Sequence, residues 1–169
     1  MKGKWAVGIE PRQFAWVFRG SLAISERPGG ATAAHRRVRR DEEVLWLRHQ
    51  GFTRVVSIMP LPQGPAGYAE QGIVVANYAV RSGPSQREVL DACYRDIATA
   101  LAAGEVVLLH DDEVSDRVLG VLAGYLVWSG RVPSRPSALA AVERLLRRSI
   151  GPDGRAIVLD LPRSPEGSS

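Results

Sequence analysis

Residues 105–126, EVVLLHDDEVSDRVLGVLAGYL, set an apolar run against an acidic loop and then a second apolar run of helical length. Residues 106–110 read as a strand buried on both faces. Residues 111–116 make a short acidic turn. Residues 117–128 are apolar almost all round, which predicts a buried helix. A strand buried on both faces needs helices above and below its sheet, so the chain is restricted to an α/β architecture. In such sheets ligands meet the carboxyl ends of the strands, and the acidic loop falls there.

The remaining sequence supports this architecture. Residues 14–18 and 22–25 read as two short strands around Gly20, and residues 53–59 (TRVVSIM) and 73–80 as further strands. A loop spans residues 26–40 and ends in the basic run HRRVRR. Asp41 reads as the N-cap of the next helix, with Glu42 and Glu43 in its first turn and Gly51 after its end. A short helical turn is expected over 66–71. Ser85 and Glu88 give a capping-box spacing before a helix that Gly104 stops. Leu139, Val142, Leu145 and Leu146 mark a last amphipathic helix, with Arg144, Arg147 and Arg148 on its wetter side. Residues 156–161 read as a short terminal strand. The predicted organisation is a single α/β domain over 1–162, a mostly parallel sheet flanked by helices, followed by a disordered tail at 163–169.

Composition excludes several classes. The 169 residues are 45% hydrophobic and 24% charged, as in an ordinary globular protein. The one cysteine, Cys93, leaves no disulfide framework and no Cys-based zinc site, and it falls on the apolar side of a helix. The longest apolar run, residues 118–128, is too short to span a bilayer, and the N-terminus has no continuous apolar signal core, so a cytoplasmic location is expected. The net charge of +4 rests on 20 Arg and only 2 Lys, a balance of the kind that GC-rich bacterial genomes produce.

The strand–loop–helix unit resembles the phosphate cradle of the dual-specificity and tyrosine phosphatases. There a strand ends in His-Cys, five loop residues follow, and an Arg opens the helix. His110 and Arg117 stand at the matching ends, with Asp111 in the place of the cysteine. Other segments follow the family's order: FAWVFRGSLAISERPG, DEEVLWLRHQGFTRVVSIMP, GIVVANYAVRSGPSQREV and SALAAVERLLRR, over roughly residues 14–150. The resemblance implies that family's fold and a degenerate cradle of His110, Asp111, Asp112, Glu113, Val114, Ser115, Asp116 and Arg117. In the family the cysteine thiolate attacks phosphorus while loop amides and the Arg hold the oxygens. Val114 stands where the family keeps a Gly, a position whose backbone a β-branched residue resists. Val118 replaces the usual Ser or Thr. The loop that should carry the general acid, residues 81–85 (RSGPS), has no carboxylate. The implied protein is a pseudophosphatase that binds or regulates a protein partner.

Four acids beside Arg117 should repel phosphate and favour a basic partner segment. Asp111 is expected to pair with Arg117 and fill the anion site from within. His110 reads as an ordering residue or as a metal ligand or base. Asp111, Asp112 and Glu113 are the ligands of an alternative metal-assisted phosphohydrolase, and Asp111 or Asp112 the nucleophile of a carboxylate-based one. The latter needs a distant Lys, and Lys2 and Lys4 are poorly placed. Otherwise no cofactor is implied. Arg36, Arg37, Arg39 and Arg40 offer a patch for nucleic acid or acidic lipid, or a solvated face that pairs with Asp41, Glu42 and Glu43. Trp16 and Trp46 read as packing residues.

Overall fold

The computed structural model describes residues 7–61, 64 and 67–165. Five strands form one sheet in the order β1-β2-β5-β3-β4. They are β1 (Ala15–Phe18), β2 (Leu22–Glu26), β3 (Arg54–Ser57), β4 (Val74–Asn77) and β5 (Val107–Asp111). β1 runs antiparallel to β2, and every other pairing is parallel. β5 is central and buried along its whole length, as its apolar run requires.

Strand alternation splits the core into two. Leu22, Ile24, Val56, Val107 and Leu109 face a layer of four helices: α2 (Gln86–Ala102), α3 (Asp116–Trp128), α4 (Arg135–Leu146) and α5 (Pro152–Leu159). Ala23, Val55 and Leu108 face the opposite way, toward α1 (Arg37–His49), Phe52 and Tyr68. At the carboxyl ends the second face turns polar. Ser25, His110 and Ser57 stand abreast on β2, β5 and β3, all buried.

Three local expectations are corrected. The first helix starts at Arg37, a turn before Asp41, and Arg36 is an N-cap without a capping side chain. Basic residues oppose the helix dipole there, so the acidic trio looked like the better start. Arg39 compensates by pairing with Glu43 one turn on. Residues 156–161 are not a strand, because α5 covers most of them. Pro152 at its first position pre-sets helical φ, a start signal that the β-branched run after it obscured. Ser85 precedes α2, but its side chain makes no capping hydrogen bond. The short turn after the proline-rich stretch is a 3-10 helix, Ala69–Gln71, and residue 66, where it was expected to begin, lies outside the described residues. In the expected tail, the Arg163 carbonyl accepts a hydrogen bond from Trp128 Nε1, while residues 166–169 lie outside the described residues.

α3 and α5 make the closest helix contact. A Cβ on Gly120 would lie 2.5 Å from Gly154 Cα and against its carbonyl. Both neighbours are backbone and cannot swing aside. Gly120→Ala should therefore force the helices apart at a cost of about 2 kcal/mol. A urea midpoint unchanged by this substitution would contradict the contact.

Candidate functional site

β5 carries His110 and Asp111 to the carboxyl edge of the sheet, and Ser115 starts α3 just beyond. Ser115 is a true N-cap, its Oγ accepting from Val118 N at 3.2 Å. The same hydroxyl donates to Asp111 Oδ2 at 2.7 Å. Arg117, in the first turn of α3, forks onto the same carboxylate. Its Nε donates to Oδ2 and its Nη2 to Oδ1, each at 2.8 Å. Asp112 N completes the set, donating to Oδ1 at 2.8 Å. Asp111 is only 1% exposed, so the pair is a buried, bidentate, charge-assisted one. The third guanidinium nitrogen, Nη1, reaches the Val80 carbonyl at 3.4 Å.

His110 is fully buried. Its Nδ1 donates to the Asp111 carbonyl at 2.9 Å, and Nε2 has no hydrogen-bond partner among the described residues. Burial is the main cause that lowers its pKa to about 4, so the ring is neutral at pH 7. The ring is closed off from solvent, with its Nδ1 bonded to the backbone at the strand end.

The acidic loop does not concentrate its charge on Arg117, which corrects the expectation that four carboxylates crowd one Arg. Asp112 pairs with Arg27 Nη1 at 3.4 Å. Asp116 turns away and accepts from Gly151 N and from Gly154 N, the latter at 2.7 Å, capping α5. Glu113 is exposed. Only Asp111 faces the guanidinium. No group of three His, Cys, Asp or Glu among the described residues is arranged to hold a metal ion, and Asp111, Asp112 and Glu113 diverge.

Val114 corrects a second expectation. It is not among the residues with positive φ, so the loop asks nothing unusual of its backbone. Its side chain is buried in the core, and its carbonyl accepts from Arg148 Nη1. The role of Ser115 escaped sequence reasoning, although a Ser directly before a helix is the standard capping signal. The bond from Asp116 to α5 was invisible because it spans 35 residues or more.

A cleft of 350 Å³ opens beside the Arg117 fork. It is lined by Arg81 and Ser82, by Ser115 and Arg117, and by Asp153 and Ile157 on α5. Cys93 is distant in kind: it lies fully buried on α2, with burial pushing its thiol pKa up. The basic run is the start of a helix rather than a loop. Arg39 pairs with Glu43 and Glu26, and Arg40 lies 4.0 Å from Asp41. Arg36 and Arg37 are exposed. Trp16 stacks on Phe52 at 5.2 Å, and Phe14 packs edge-on to Trp16 and Trp46. No helix among the described residues is long and apolar enough to cross a membrane.

No protein-family model matches the chain, and no curated protein does. Solved structures do. The kinase associated phosphatase, in a form with its catalytic-site cysteine substituted by serine, superposes with a TM-score of 0.73 at 16% identity, over 88% of this chain and 92% of that one. Human DUSP28 gives 0.66 at 16% identity, over 89% and 95%. The human tyrosine phosphatase-like serine/threonine/tyrosine-interacting protein gives 0.61 at 14% identity, over 86% and 91%. With its sheet order, its central strand and the loop and helix that follow it, the chain has the fold of the dual-specificity and protein tyrosine phosphatases.

Proposed function

We propose that this chain is a phosphatase-fold protein without phosphatase chemistry, a cytoplasmic binding or regulatory module that engages a protein partner through the face around the cleft. The Asp111–Arg117 fork carries this reading. In a working cradle the guanidinium and a loop amide hold phosphate oxygens while a thiolate attacks. Here a carboxylate takes those donors as a tethered anion, and a carboxylate held by an Arg, a hydroxyl and an amide has no free lone pair directed at a substrate. The loop beyond Val80 brings Arg81 and Ser82 to the cleft, and no acid to protonate a leaving group. Asp153 is exposed at this face and Glu113 is exposed on the loop, and both suit a basic partner segment. The phosphatase-like protein named for an interaction, on the same fold, agrees with a binding role.

The test combines turnover and anion binding. The wild-type chain should not hydrolyse aryl phosphates. Asp111→Ala should free Arg117 and bind inorganic phosphate roughly 10–100-fold more tightly than wild type, the value of one charge-assisted bond to a charged group. Asp111→Cys alone should stay inactive, since no general acid returns, a group worth roughly 10²–10⁴-fold. Chelator-resistant turnover by wild type that Asp111→Ala abolishes would overturn the reading. So would equal or weaker phosphate binding by that variant, measured by calorimetry.

A further inference from the structure

β1 is an edge strand, bonded to β2 on one side and, among the described residues, to no strand on the other. A groove runs along it, against α4. It consists of two hollows, one of 490 Å³ and one of 220 Å³, that share Leu145. Ala15, Val17, Leu145 and Leu146 give it an apolar lining. Its charged lining is Arg131, Arg147 and Arg148, and no carboxylate lines either hollow. Exposed Arg12 and Arg19 flank the two ends of the strand.

Backbone geometry marks the same place. Gln13 and Arg147 are the non-glycine residues with positive φ among the described residues, at 56° and 54°. Both line the larger hollow. Left-handed backbone in such residues costs free energy and tends to collect at functional sites.

We infer that this groove is a docking site for an extended segment of another protein that carries acidic residues alternating with apolar ones, added to β1 as a sixth strand. Strand addition satisfies the open edge with main-chain hydrogen bonds, and alternate side chains supply specificity. Apolar residues of one parity would pack on Val17, Leu145 and Leu146. Carboxylates of the other parity would lie in the positive field of Arg12, Arg19, Arg131 and Arg147. A second copy of this chain is a poor occupant, because edge-to-edge pairing of two β1 strands brings Arg12, Arg19, Arg131 and Arg147 against their own kind. The groove also touches the loop of the candidate site, since Arg148 Nη1 holds the Val114 carbonyl. The inference does not depend on whether the chain is catalytically silent.

The probe is a fluorescein-labelled decapeptide of alternating Glu and Val, followed by fluorescence anisotropy with the full chain. It should bind, weaken as salt is raised, and exceed the alternating Lys-Val peptide by roughly tenfold or more. Arg131→Gln with Arg147→Asn should reduce binding roughly tenfold; Asn accepts left-handed φ, so the α4 terminus is kept. A measurement that leaves the protein untouched checks the backbone mode. Two Glu-Val peptides, N-methylated on alternate residues of one parity or the other, should differ, with one losing binding and one keeping it. Equal binding of the Glu-Val and Lys-Val peptides would overturn the proposal. So would an affinity unmoved by the double substitution, equal tolerance of both methylation patterns, or a dimer in sedimentation that the double substitution dissociates.

Discussion

Arg117→Met should destabilise the fold by about 3 kcal/mol. Asp111 is buried, and its carboxylate depends on Arg117 for two of its four hydrogen bonds and for its ion pair. Removing one member of a buried pair typically costs 3–5 kcal/mol, because the other charge is stranded. The low end applies here, since the Arg117 side chain is 30% exposed and the bonds from Ser115 Oγ and Asp112 N survive. Removing the charge at both ends separates the pair from its desolvation. Asp111→Asn with Arg117→Met should recover most of the loss, and the cycle gives the coupling directly. A loss below about 1 kcal/mol for Arg117→Met would place the pair with ordinary surface ion pairs and weaken the case for an occupied cradle.

Acidification should reach the same strand end from the other side. An unfolded imidazole takes its proton near pH 6.5, whereas buried His110 holds out until about 4. Between those values the unfolded chain binds the extra proton, so stability falls as pH falls from 6.5 to 4. The full effect is about 3 kcal/mol. Glu43 acts with the opposite sign. Burial raises its pKa, so its protonation favours the folded state as pH falls. His110→Asn separates the two. It offers an amide N–H where Nδ1–H donates to the Asp111 carbonyl and cannot titrate. Stability of this variant should change much less than wild type between pH 6.5 and 4, with urea midpoints as the measurement. Identical slopes would show that His110 is not the acid-labile group.

How much of this was legible in sequence follows from the range of the interactions. β5, the loop and α3 were readable because apolar periodicity is a local signal over residues 106–128; the Ser115 cap, equally local, was passed over. The Asp111–Arg117 pairing was readable because both ends lie in that unit, six residues apart. The destinations of Asp112 and Asp116 were not. Their partners, Arg27 and the amides of Gly151 and Gly154, come from the far ends of the chain. Composition counts four carboxylates in six residues; only the tertiary fold shows three of them pointing three ways. The start of α1 was misplaced for a related reason. Glu43 has its amide partner in Gly29, across a loop, and that bond together with the Arg39 pair explains why an acid is buried where the first turn seemed to be.

The hold of Asp116 on α5 also bears on the order in which the chain is made. A ribosome delivers β5 and α3 well before residues 151–154, so a nascent chain carries Asp116 without its two amides and Gly120 without the helix that covers it. Domains complete their packing only when the last contributing segment has emerged. Chains truncated before Gly151 would keep the whole acidic loop in sequence, yet leave open the glycine-lined face of α3 that the α5 contact closes. Such fragments should be cleaved by proteases faster than the full chain, because the face of α3 that α5 covers is open in them, and they also lack Asp153 and Ile157 of the cleft.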